Sequence, residues 1–566
     1  MSRHRRLPDS RDLAKAAIAW VLATLAVAAA LIPTAAAAAP HKTVCTITVN
    51  SADEKESMRR LLPPDRYRFV ELVERGRPDW LATARRQNIK CDVLVISGHY
   101  DGGNAFFSDQ IEAREHLPVA ELERASCSEP DRGIFAELKE VYLFGCNTLD
   151  PSSMRSTSGE IERSLLRSGL SRADAARAAR ALAARHGDSS RERMRQIFPE
   201  VPAIYGFSSV APYGQVAGPL FAGYLRSGGT QEFGTGRPSP RLLGHFRTHG
   251  LAVTSGIRDG DPQAAHRDDV CGFMDDRRDK AAKIAFVHEV LRRDAAEGRL
   301  FLDRIEALER GMSAEERAEP DVARALEAIA ADVDTRERFL AFARDADQPS
   351  VRARMVSLAH RLGWLDADGE ITELMALVDA RLAAADLGAA DVDLVCSING
   401  DRRLDTEILR LDSTRWRPRN VAQAGVLACL GDAERRTDTL RALTSQRDED
   451  VRIAQVFLRH RPIDEPRELR EIASGIAGMR DGETQVRALN TLAGHRLSDP
   501  LTLEALARLF PTAESVGVQS AIAGVLIRAN YHVLQRDELL QTLTQHKLRS
   551  NGSSLVDVLI RRLKQP

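Results

Sequence analysis

The chain has 566 residues, 28% charged and 43% hydrophobic, with a formal net charge of −1. That length argues for two or more domains rather than one core. The near-neutral balance excludes an electrostatic case for nucleic acid or a membrane surface as partner.

The first stretch is a targeting segment. Arg3, Arg5 and Arg6 form a basic start, Ala16 to Pro40 carries no charge, and Ala37-Ala38-Ala39 makes a small-residue cleavage site. The expected outcome is a signal peptide over 1–39 and an exported protein, periplasmic or extracellular, with no membrane contact after cleavage. The alternative is a membrane anchor through the same uncharged segment, which is long enough to span a bilayer. Export changes how the seven cysteines are read. They stand at 45, 91, 127, 146, 271, 396 and 429, with no C-x-x-C pair, so neither a zinc knuckle nor a dithiol redox motif is indicated. An odd number leaves a thiol over in a fully paired monomer, and Cys146 is the choice for it. Cys45 and Cys91 open neighbouring strands and are candidates for a disulfide; six buried apolar thiols are the competing reading.

Val44–Glu54 is a strand running into a loop, in which Ser51 or Asp53 can cap a helix from Glu54 to Leu62. Tyr67–Val73 is a second strand, Trp80–Gln87 a helix, and Cys91–Tyr100 a buried strand ending in Ser-Gly-His. Strand–helix–strand–helix–strand in so short a stretch predicts a parallel α/β sheet. Asp101-Gly102-Gly103 is a turn, after which AFF and SDQ (105–110) could form a hairpin. Short helices are expected over Pro118–Ala125 and Ile134–Lys139. The latter leads into a second buried strand, Val141–Asp150, that ends in Gly-Cys. Helices at Ser171–His186 and Arg191–Phe198, a strand at Val201–Ser209 and a helix at Ala217–Ser227 follow.

His99 and Cys146 carry the chemistry. Each follows a glycine just past an apolar strand, and residues past the carboxyl ends of parallel strands stand at the rim where open α/β sheets place their sites. A thiol beside an imidazole is the minimum for nucleophilic cysteine chemistry. The His-first spacing is that of caspase-type pairs. No Gly-x-Ser-x-Gly elbow, His-Glu-x-x-His or phosphate-binding Gly loop occurs, and no metal or cofactor is indicated.

On VLVISGH, VYLFGCNT and IYGFSSVAPYGQVAGPLFAGYL (Ile204–Leu225), the segment from Val44 to Ser227 resembles the caspase-like cysteine peptidases, most of all their bacterial CHAT branch. The resemblance implies a three-layer α/β domain over 40–227 with a mostly parallel sheet. It implies peptide-bond cleavage through a thiol ester on Cys146 with His99 as base or proton donor. The backbone N–H groups of Cys146 and Tyr100 would hold the oxyanion; Tyr100 stands where the family usually has Gly. Such enzymes often read a charged side chain beside the scissile bond. Asp101, Asp150, Ser208 and Ser209 are the pocket candidates, and both acids are also explained as turn residues.

Residues 228–282 are rich in Gly, Pro and Asp and predict a linker or excursion, although Leu242–Phe246 and Leu251–Ile257 could cover the first domain. From 283 to 566 the pattern is helical with loose repetition: Val421, Val451, Val486 and Val516 recur at the spacing of stacked helix pairs, similar to HEAT repeats and expected to form an α-solenoid. Such repeats bind protein substrates or partners. The expected protein is therefore a caspase-like peptidase joined to a helical scaffold. The alternative is an inactive pseudo-enzyme serving as an interaction module.

Overall fold

A computed structural model describes residues 41–565 except 73–80, 82–83, 85, 109–114, 129–132, 153–157, 168, 187–188, 408–417, 481, 496 and 550–553. The expected signal segment lies outside the described residues, as does half of the expected Trp80–Gln87 helix. The chain divides into two compact units, Met1–Ser158 with Ala176–Asp279, and Gly159–Ala175 with Lys280–Pro566. The first is α/β with a mostly parallel mixed sheet; the second is all-α.

The strands are β1 (Lys42–Thr48), β2 (Tyr67–Glu71), β3 (Val93–Ser97), β4 (His99–Tyr100), β5 (Ala105–Phe107), β6 (His116–Pro118), β7 (Glu140–Phe144), β8 (Ala203–Phe207) and β9 (Leu251–Thr254). The described helices that the first part of the chain supplies are α1 (Asp53–Leu61), α2 (Val119–Ser128), α3 (Ser158–Arg167), α4 (Arg172–His186), α5 (Ser190–Ile197), α6 (Gly214–Arg226), α7 (Pro240–His245) and α8 (Ala264–Met274). The main sheet has six strands in the order β2-β1-β3-β7-β8-β9, and β4-β5-β6 form a small second sheet. β2, β1, β3, β7 and β8 run parallel, and β9 closes the edge antiparallel to β8.

Both faces of the main sheet are covered, so its central strands read as unbroken apolar runs. The strand alternation still sorts them. Leu94 and Ile96 point into an apolar layer with Leu122 of α2 and Met194 and Ile197 of α5. Val93 and Val95 point into the opposite layer, with Met58 of α1 and Phe221 and Tyr224 of α6. Each such burial stabilises by about 2 kcal/mol, which outweighs local propensity in fixing where the strands lie.

Two stretches differ from expectation. Residues 134–139 form turns, with Leu138 N–H donating to Phe135 O at 3.2 Å, and not a helix. So short a segment cannot recover the cost of helix nucleation, and burying Ile134 and Leu138 decides its course. The partners of Ala105–Phe107 are β4 and β6 rather than the Ser-Asp-Gln that follows it; Asp109 and Gln110 lie outside the described residues. The Gly-rich stretch after residue 228 holds α7, β9 and α8, with Phe233, Leu242 and Phe246 buried against the sheet.

Disulfides join Cys45 to Cys91, Cys127 to Cys271 and Cys396 to Cys429. Cys146 alone is a free thiol. Three disulfides are compatible with an oxidising, exported location. Among the described residues no helix is long and apolar enough to cross a membrane.

In the second unit the helices Val421–Cys429, Asp448–His460, Gly482–Leu492, Val516–Arg528 and Leu555–Lys564 pack each on the next, forming one row. Pro466–Ala477 and Pro500–Leu509 pack on each other between members of that row. A continuous apolar core runs through these helices.

Candidate active site

In the β3–β7 ladder Ser97 faces Phe144, the last residue of each strand. Gly98 N–H donates to Phe144 O at 3.1 Å, which carries the pairing one step further. His99 and Cys146 each lie two residues beyond that last ladder pair, and His99 there enters the small sheet opposite Phe107. Both lie at the carboxyl rim of the sheet. The strand order reverses between β1 and β3, the kind of switch point where α/β sheets leave a crevice. Both side chains are half-buried.

The turn carrying Cys146 is held on three sides. Asn147, in the left-handed conformation at φ 58, donates its N–H to Ser209 O at 2.8 Å. Leu149 N–H donates to Phe207 O at 2.9 Å. The buried Thr148 hydroxyl donates to Gly145 O at 3.2 Å and accepts from Phe207 N–H at 3.0 Å. The loop after β8 then reaches the thiol, with Ala211 N–H donating to Cys146 Sγ at 3.4 Å.

His99 is held by the small sheet. It faces Phe107 in the β4–β5 pair, and its ring lies 5.4 Å from the Phe107 ring at 31°. Tyr100 turns its ring the other way, into the core, 4.9 Å from Phe106 and 5% exposed. The pairing also aims the backbone. Asp101 N–H donates to Ala105 O at 3.2 Å, so the 101/105 pair is hydrogen-bonded, and by alternation 99/107 is as well. The intervening Tyr100/Phe106 pair is not, so the Tyr100 N–H points away from β5. Among the described residues the Cys146 N–H has no hydrogen-bond acceptor. Neither of these two backbone donors thus has an acceptor among the described residues. Tyr100 does not have a positive φ, so a side chain at this position is compatible with the backbone.

Each of the four expected pocket residues makes a hydrogen bond within a turn or loop. Asp101 is exposed, and its Oδ1 accepts the N–H groups of Gly103, Asn104 and Ala105 at 3.0, 2.7 and 3.0 Å. That bonding closes the turn in which Gly102 takes φ +87, a conformation that suits glycine. Asp150 Oδ1 accepts from Ser152 N–H at 2.8 Å, again inside a turn. Ser208 is exposed and its hydroxyl donates to Gly250 O at 3.1 Å. Ser209, also exposed, is tied through its carbonyl to Asn147. Both serines belong to the loop over Cys146; both acids are turn residues.

A further carboxyl lies under the rim. Glu54 in the first turn of α1 is 2% exposed and accepts from the Ser97 hydroxyl at 3.2 Å. Burial pushes its pKa up to about 7, against smaller lowering effects of its own backbone N–H and Ser97. The chain pattern conceals it, because a Glu early in a helix is ordinarily a solvated N-terminal charge. Helix α5 steadies the turn after His99 from the other side: Ser190 Oγ donates to Gly102 O at 3.3 Å, and Arg193 bonds Gly103 O and pairs with Glu123 at 3.0 Å. Among the described residues no group of three His, Cys, Asp or Glu side chains could hold a metal ion.

Comparison of the chain with protein-family models, with curated proteins and with solved structures gives no match.

Proposed function

We propose that the chain is an exported cysteine endopeptidase of caspase-like type, in which Cys146 is the nucleophile and His99 the proton carrier. The observation that supports this reading is the pairing of β3 with β7 in a parallel sheet, since the half-buried His99 and the free Cys146 each follow the last paired residue of these strands by two positions. The six other cysteines are tied in disulfides, so in an oxidising compartment this one thiol has been kept reduced and partly exposed. In the reaction His99 takes the thiol proton and the Cys146 thiolate adds to the substrate carbonyl carbon. The oxyanion that forms accepts from the Cys146 and Tyr100 N–H groups. His99 returns the proton to the departing amine, leaving a thiol ester that water hydrolyses to the acid and the free thiol. No cofactor enters.

The packing of successive helices in the second unit supports an α-solenoid of HEAT-like pairs. It supplies an elongated surface for a protein substrate or partner. Export rests on the basic, uncharged and small-residue pattern of residues 1–39 together with the disulfides.

The test is labelling with electrophilic peptide probes of varied sequence. Covalent labelling of the wild type, lost in both Cys146→Ala and His99→Ala with the fold retained, is the expected result. A folded wild type that alkylates with iodoacetamide yet takes up no peptide probe would instead make this domain a binding module.

A further inference from the structure

Among the described residues of the first unit, the large apolar side chains that stand exposed are Phe107 at 37%, Val210 at 73%, Tyr213 at 76% and Val216 at 45%. All four belong to the segments that touch the candidate dyad. Phe107 is the β-pair partner of His99. Val210 and Tyr213 flank Ala211, whose N–H meets Cys146 Sγ at 3.4 Å. Val216 begins α6 and its N–H bonds Tyr213 O at 2.8 Å. Among its described residues the remainder of this unit covers its large apolar groups, so their exposure in these segments is a local arrangement and not general leakage.

Two acids near the candidate dyad already accept turn N–H groups. Asp101 spends Oδ1 on three turn N–H groups, and Asp150 caps its own turn. In the first turn of α1, Asp53 is exposed and accepts from the Ser51 hydroxyl at 3.0 Å. It is therefore the acid nearest to offering a basic alternative.

We propose that the substrate is a polypeptide segment with apolar or aromatic residues beside the scissile bond, held by Val210, Tyr213 and Val216 on one side of the dyad and Phe107 on the other. This rests on the peptidase reading and names its substrate class. An extended chain crossing the rim covers these side chains and removes apolar surface from water on both partners. Selectivity then comes from contact area and not from a buried counter-charge.

The experiment compares rates of Cys146 labelling by three peptidyl ketone electrophiles, bearing Phe, Arg or Asp next to the reactive group. Iodoacetamide serves as the reagent without a side chain. The Phe probe is expected to label at least about tenfold faster than the other two. Val210→Ser with Tyr213→Ser, and separately Phe107→Ser, should shrink that advantage several-fold while iodoacetamide still alkylates Cys146. Faster labelling by the Arg probe, reversed in Asp53→Asn, overturns the proposal in favour of a basic side chain and leaves the peptidase reading standing. A Phe preference untouched by either set of substitutions also overturns it. Labelling by iodoacetamide and by no peptide probe overturns the peptidase reading itself, and this proposal with it.

Discussion

A Cβ placed on Gly145 would stand 2.9 Å from the carbonyl oxygen of Gly98 and 3.0 Å from Tyr100 Cβ. The residues just ahead of Cys146 and His99 are therefore packed closely against each other. The first neighbour is backbone and has no rotamer to change. Gly145→Ala is expected to part β3 from β7 at their ends and cut peptide-probe labelling of Cys146 at least about tenfold. It should also lower stability by about 1–3 kcal/mol, measured by denaturant unfolding. Full labelling in that variant would show that the dyad does not depend on this contact.

Tyr100 tests what the side chain after His99 does. Its ring is part of the core beside Phe106. Tyr100→Gly should cost about 3–5 kcal/mol, the range for losing a buried aromatic ring, although it restores the residue that the caspase-like family favours. Tyr100→Phe should keep both fold and labelling, because the donor assigned to the oxyanion is the main-chain N–H. A large loss of labelling in a folded Tyr100→Phe would point to the phenol instead.

Glu54 makes a pH prediction with a definite sign. Its carboxyl has a folded-state pKa of about 7 against an ordinary 4.5, because burial disfavours the charge. Between those values the folded chain binds the proton and the unfolded chain does not. Its contribution to stability is therefore intact below about 4.5 and is lost as the pH rises through 7, by roughly 3 kcal/mol in all. Unfolding of the first unit should be easier at pH 8 than at pH 5, and Glu54→Gln should flatten that slope. An unchanged slope in Glu54→Gln would place the titrating group elsewhere.

Asp101 separates turn closure from substrate reading. Asp101→Asn keeps an oxygen for the Gly103, Asn104 and Ala105 N–H groups, so stability and probe preference should both hold. Asp101→Ala should lose about 1 kcal/mol or more, as for other lost side-chain caps. A change in the preference between Arg and Phe probes in the folded Asn variant would return Asp101 to the pocket.

The disulfide pattern predicts one reactive thiol per chain, counted with a thiol reagent in denaturant without reductant. Removing the Cys396–Cys429 bridge, whose cysteines are 33 residues apart, by a double Ser substitution should destabilise the helical unit by about 3 kcal/mol. Finding three or more thiols in protein recovered from an oxidising compartment would contradict the pairing.

Much of the α/β framework was legible in the chain, because β3 and β7 are short apolar runs closed by glycine and a sheet buried on both faces leaves that mark. The Ser171–His186 helix was legible too, with Ser171 Oγ accepting from Asp174 N–H at 3.2 Å, whereas the helix expected to be capped by Ser51 or Asp53 has Ala52 at its N-cap and no side-chain cap. The segment 134–139 was not, since six residues with helical composition carry no signal for a turn imposed by burying Ile134 and Leu138. The recurring Val421, Val451, Val486 and Val516 fall in helices that pack in one row, but Val451 is buried and Val516 exposed, so the spacing marked the helices and not a shared buried face.

The sequence by itself determined that a His and a Cys each follow an apolar strand and a glycine, since residue type and the length of an apolar run are local properties. Only the tertiary structure decided that β3 and β7 are neighbours in register, that Cys146 is the thiol left over, that Asp101 and Asp150 are spent on turns, and that Glu54 is buried. Each of these depends on which distant segments share a boundary, and burial and hydrogen bonding are properties of that boundary and not of the residue.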